Sequence, residues 1–104
     1  MRLRGKVDRN QAEIVRALRQ VGASVLSLAD LGNGAPDLLV GFQGRNVLLE
    51  VKDGLAVPSK QKLTPDEELW HRTWSGNVFV VRSIEESLKV LQGGARVSEG
   101  ASKA

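Results

Sequence analysis

Apolar residues recur along this chain with two spacings. Ile14, Val15, Leu18 and Val21 fall at i, i+1, i+4 and i+7, the stripe of a helix that covers a core. Asp8 or Asn10 can cap that helix, each with a capping-box partner three residues on, Gln11 or Glu13, and Gly22 ends the run. The spacing therefore predicts a helix from residue 8 or 10 to about 21, with Arg16 and Arg19 on or beside its exposed face. The second spacing is that of strands. Short apolar runs at residues 23–28, 38–42, 47–51 and 78–82 are bounded by turn-forming residues.

The second and third of these runs flank Gln43-Gly44, a two-residue hairpin turn. In that register Phe42 faces Arg45 and, followed outward, Asp37 lies opposite Glu50. Lys52 shares their face by period-two alternation, as do Leu39 and Leu48. Leu38, Val40, Val47, Leu49 and Val51 take the other face, so both sides of the sheet are expected to be covered.

Further along, Thr64-Pro65-Asp66-Glu67 is a helix start, with a capping residue, Pro at the first helical position and Glu67 completing a capping box. That helix is predicted to reach about Trp74. Trp70 and Trp74, one turn apart, are expected to pack on the sheet, with part of their stripe available to a subunit interface. Ser83 with Glu86 starts a last helix to about Leu91, whose apolar face is Ile84, Leu88 and Leu91. Residues 1–7 form a basic arm or the lip of the first helix, residues 30–34 a glycine-containing loop, and residues 53–62 a surface loop without periodicity. From residue 93 onward no apolar period remains, so one domain spans residues 1–92 and residues 93–104 form a disordered tail. The element order is helix, three strands, helix, strand, helix: an α/β fold with a central mixed sheet and helices on both faces.

Composition narrows the function. A chain of 104 residues holds one core, and its formal charge of +3 with a pI near 9.7 suits an anionic partner. Twelve acidic residues argue against a purely electrostatic coat for nucleic acid. No cysteine is present, which excludes disulfides, thiolate nucleophiles and cysteine-based zinc sites. His71 is the one histidine; beside two tryptophans on a helix, it reads as a half-buried packing residue rather than a general base. No apolar run approaches the roughly 18 residues of a membrane span, and the basic N-terminus lacks a signal-peptide core. A soluble, cytoplasmic protein is expected, with no small-molecule cofactor.

The chemistry is concentrated at Asp37, Glu50 and Lys52. Two carboxylates opposed across a strand pair repel each other by about 0.2–1 kcal/mol, and a divalent cation between them reverses the sign. Pro36-Asp37 followed by Glu50-Val51-Lys52 resembles the PD-(D/E)xK nuclease superfamily, which has a restriction-endonuclease-like fold. The glycine-rich approach from Gly32 to Ala35 and the upstream helix carrying Glu13 extend the likeness. Within the superfamily the layout is most similar to the archaeal-type Holliday junction resolvases. It is similar second to VRR-type nucleases of phage and repair systems, through GxPDLLVG, the LTPDE helix start and the two tryptophans.

The resemblance implies a metal-dependent endonuclease of DNA recombination and repair that hydrolyses phosphodiesters in four-way junctions by paired symmetric nicks. It implies Mg2+, with Mn2+ as a substitute, held by Asp37, Glu50, the Val51 carbonyl and Glu13, and Lys52 as the residue that orients water or stabilises charge. From spacing alone Glu13 is a capping-box glutamate. A homodimer would match the two-fold symmetry of the junction, and a phage gene in a bacterial host is one source. Arg4, Lys6, Arg9, Arg16, Asn33, Arg45, Lys60 and Lys62 are the residues expected to meet DNA. Many members of the wider nuclease group that the chain resembles carry Gln near the position of Glu67, so this residue departs from their pattern and is not counted among the catalytic residues. The alternative of a different class is a branched-DNA-binding module without catalysis.

Overall fold

The helical stripe becomes α1 (Gly5–Gln20) and the alternating runs become β1 (Ser24–Ser27), β2 (Leu38–Phe42), β3 (Arg45–Val51) and β4 (Val78–Val81) in a computed structural model describing residues 5–93, with side chains from Arg9 onward. Helices α2 (Pro65–Thr73) and α3 (Ile84–Leu91) precede and follow β4, and one 3-10 turn, Pro58–Lys60, interrupts the loop after β3. The element order is the predicted one. Arg4 and the tail from residue 94 lie outside the described residues, as does the side chain of Lys6.

The sheet has the order β1-β2-β3-β4, with β1–β2 and β2–β3 antiparallel and β3–β4 parallel through the α2 crossover. Phe42 pairs with Arg45 and Leu38 with Leu49, the predicted register. Gln43 and Gly44 both have positive φ, 50° and 81°, as a tight hairpin turn with the right-handed strand twist requires.

One face of the sheet makes the core. Leu38, Val40, Val47, Leu49, Val51 and Val81 close on Ile14 and Leu18 of α1 and on Val90 and Leu91 of α3. Each such side chain contributes about 1.5–3 kcal/mol on burial. On the opposite face lies α2, which buries none of its residues. Trp70 and Trp74 stack on each other there, centroids 4.5 Å apart, and Trp74 is 48% exposed. They border Leu39 and Leu48 rather than enter a second core.

Three boundaries differ from the sequence reading. Helix α1 starts before Asp8 and Asn10, so neither caps it; Asn10 instead donates its side-chain amide to the Lys52 carbonyl at 3.0 Å. Val21 falls past the helix end, where Gly22 (φ 99°) redirects the chain, and it faces solvent. In α3 the inward side is Ser87, Val90 and Leu91 with Leu88 packed beside them, while Ile84, at the first turn, is 38% exposed. Ser87 can be buried because its hydroxyl donates to the Ser83 carbonyl at 2.9 Å. Among the described residues, no helix is long and apolar enough to cross a membrane.

Candidate active site

The antiparallel register that buries Leu38 and Leu49 turns Asp37 and Glu50 to the α2 face. Pro36, fully buried, fixes the backbone ahead of Asp37. The Asp37 N–H donates to the Leu49 carbonyl at 3.0 Å, and its Oδ2 accepts from the Val51 N–H at 2.7 Å. This bond continues the hairpin with a side chain where the ladder ends. Glu50 reaches further in, with a side chain only 4% exposed.

Burial controls the protonation here. Loss of water pushes the Glu50 carboxyl up to about 9, and the nearby charges of Asp37 and Glu67 push the same way. Burial also raises Asp37, against the lowering effect of the Val51 N–H. Without a cation, Glu50 is therefore protonated at neutral pH.

Helix α2 brings two further side chains, one turn apart. Glu67 Oε1 lies 2.8 Å from Lys52 Nζ, closer than Glu50 Oε2 at 3.7 Å. The same Oε1 accepts from the Thr64 N–H at 2.9 Å, and the Glu67 N–H donates to Thr64 Oγ1, which completes the capping box. Burial raises the Glu67 carboxyl, but the hydrogen bonds from Lys52 and Thr64 outweigh it and the net shift is downward. One turn on, His71 Nε2 sits 4.0 Å from Glu50 Oε1. Burial lowers the imidazole, so a neutral ring faces a protonated carboxyl and the contact is no ion pair. Both of these buried atoms lack a hydrogen-bond partner.

No family model matches the chain, and no curated protein matches it. A solved structure described as a VRR_NUC domain is 32% identical to it, with a TM-score of 0.57, and the match covers 82% of this chain and 92% of that one. The chain belongs to the VRR_NUC family.

This VRR_NUC domain is thus a nuclease with a restriction-endonuclease-like α/β fold. Asp37, Glu50 and Lys52 come together as the sequence motif requires. Glu13 does not join them. It is exposed on α1 and lines a groove with Asn10, Asp53 and Arg82. Among the described residues, no three Asp, Glu, His or Cys side chains are grouped to hold an ion. Val51 turns its side chain into the core and its N–H toward Asp37.

The residues expected to meet DNA divide by position. Arg9 is exposed beside Asn10, at the end of α1 nearest Lys52. Asn33 (φ 55°) is exposed in the loop before Asp37, next to Asp66 and Trp70 of the VRR_NUC domain's α2. Lys60 is exposed on the 3-10 turn, and Lys62 lines a groove with Arg82 and with Val80, the pairing partner of Glu50. Arg45 is otherwise engaged: at the turn end of the hairpin, far from Asp37, it donates to the Leu91 carbonyl at 2.6 Å and ties the turn to α3. Arg16 lies on the outer side of α1, across the sheet from the carboxylates.

Glu67 and His71 are the site residues that sequence reasoning passed over. Their i, i+4 spacing on one helix edge, offset from the Trp70–Trp74 pair, was the available signal.

Proposed function

We propose that this VRR_NUC domain is a divalent-metal-dependent DNA endonuclease selective for branched structure, and that its substrate is the four-way junction, nicked symmetrically by two copies. One observation carries the reading: Asp37 and Glu50 oppose each other on a buried face, and Glu50 Oε1 has no partner. With Lys52 3.7 Å from its other oxygen, the buried Oε1 is still left without a partner, a place that a cation would fill. Hard oxygen donors suit Mg2+, which takes one or two carboxylates and completes its shell with water and phosphate, and Mn2+ substitutes. Asp37, Glu50 and the Val51 carbonyl would hold it. When bound, the ion polarises the scissile phosphate and lowers the pKa of the attacking water.

The protein's own residues do the rest. Asp37, anchored by the Val51 N–H, would fix where the ion is held and so where the phosphate meets it. Lys52 carries an ammonium on the same face, able to orient the water or meet charge developing on the phosphate. Glu67 holds Lys52 while the site is empty of substrate. Preference for the junction rests on the sequence layout shared with the resolvases, and Glu13 stands outside the set. Two-fold symmetry of the junction calls for a two-fold dimer.

The test is cleavage of a labelled immobile four-way junction, with flap and linear duplex controls, in Mg2+ and in EDTA, by wild type and Asp37→Asn. Paired symmetric nicks are expected in Mg2+ alone, reduced more than about 100-fold in the variant. Preferential cutting of flaps would replace the junction as substrate. Tight binding with no cutting in Mg2+ or Mn2+ would leave a binding module.

A further inference from the structure

Beside the carboxylates on the same sheet face, a cavity of about 380 Å³ lies under α2, between the sheet and the two indoles. Leu39 and Leu48 form its floor, Trp70 and Trp74 its wall, and the exposed residues Asn46 and Asn77 set amides at its rim. The wall is closely fitted, since a side chain at Gly76 would meet Trp74 Nε1 at 3.0 Å. Burial of apolar side chains does not explain the space, because α2 buries no residue and leaves Trp74 half exposed.

Its placement relative to the chemistry is specific. Leu39 is two residues along β2 from Asp37, and Leu48 two residues back along β3 from Glu50. Side chains two apart on one strand face are about 7 Å apart, a distance that two nucleotides cover at about 3.4 Å each in a duplex strand. A phosphate at Asp37 and Glu50 therefore puts a base of the same strand at the cavity. Planar aromatic walls accept any base by stacking, while terminal amides can hydrogen-bond a base edge.

We propose that this cavity receives an unpaired nucleobase within two nucleotides of the scissile phosphate. A base inside a duplex must first unpair and unstack, at a cost of a few kcal/mol; a base pair at a branch point has to open in the same way, whereas a base already in single strand enters at little cost. The cavity thus selects DNA structure without reading sequence. The inference rests on the nuclease reading above and names the feature of the substrate that the site accepts.

The chain has two tryptophans, both in the cavity wall, and no tyrosine, so its intrinsic fluorescence reports on this place alone. The untagged protein, in EDTA, is titrated with a single-stranded thymidine 12-mer and with an abasic 12-mer of equal charge. Binding is read in parallel by anisotropy of a labelled end. The thymidine strand is expected to quench the tryptophans and to bind about tenfold more tightly than the abasic one. Trp74→Ala, with its fold checked by circular dichroism, is expected to bring thymidine binding down to the abasic level. Equal binding of the two strands without quenching overturns the proposal. So does sedimentation showing a dimer that Trp74→Ala dissociates, since the face would then be covered by a second copy. If junctions are still cut in Mg2+ in either case, the nuclease reading survives; if neither strand binds and no junction is cut, that reading fails first.

Discussion

Glu50 is held in a state that costs folding energy at neutral pH. Its carboxyl binds a proton more tightly in the folded protein than in the unfolded chain, where the value is near 4.5. The stability it contributes is therefore present at low pH and is lost as pH rises from about 4.5 through about 9, and Asp37 acts in the same direction. Glu50→Gln keeps the shape and removes the charge, so in EDTA at pH 8 it should melt higher than wild type. A gain of about 1 kcal/mol corresponds to about 4–8 °C in a domain of this size. At pH 4.5 the two should melt together, and a lower melting point for the variant at pH 8 would show that Glu50 is not a destabilised acid. Glu67 poses the complementary question. Glu67→Gln keeps an acceptor for the Thr64 N–H and withdraws the charge from Lys52. Stability should change by less than about 1 kcal/mol while kcat falls about tenfold at unchanged KM; an unchanged kcat would reduce Glu67 to a helix cap.

At the scale of elements, the contact between the loop before β2 and the start of α2 sets how far the site is covered. Gly34 has φ 85°, and a Cβ there would lie 2.5 Å from the Asp66 carbonyl oxygen. Gly34→Ala should cost more than about 1 kcal/mol and loosen α2, read as a lower melting point together with weaker cutting. An unaltered melting point would mean that the loop and helix are not in register. This contact was not legible in the sequence, where Gly32-Asn33-Gly34 read only as a permissive loop. Local chemistry was far more legible. Gln43-Gly44 announced the hairpin turn, and with it the register that sets Asp37 against Glu50, because turn type and strand alternation are decided within a few residues. Thr64-Pro65-Asp66-Glu67 announced α2 for the same reason. Periodicity told which residues are apolar but not where a helix ends, hence the errors at Val21 and Ile84. Glu67 was hidden by its own success as a capping residue. One carboxylate oxygen serves both Thr64 and Lys52, and the first use left nothing in the sequence to account for. His71 was legible as half-buried, not as facing Glu50, since that depends on how α2 rotates on the sheet.

For the whole molecule, net charge matters less than which side carries it. Lys62 and Arg82 flank the carboxylate face, while Arg16 and Arg19 lie across the sheet. Lys62→Ala should weaken binding to any DNA and lower the salt dependence of the binding constant by about one phosphate contact. Arg16→Ala should leave both unchanged, and the reverse ranking would put DNA on the α1 side. Arg19 has a different task. Its guanidinium donates to the Val25 carbonyl at 3.1 Å, on a strand that has a neighbour on one side only. An open strand edge is a template for further strands, and Leu26 beside it is 58% exposed. Arg19 occupies an acceptor on that short edge and places a charge where another chain would have to dock. The open edge of the sheet is thus partly closed by an arginine that a survey of basic residues would assign to nucleic acid.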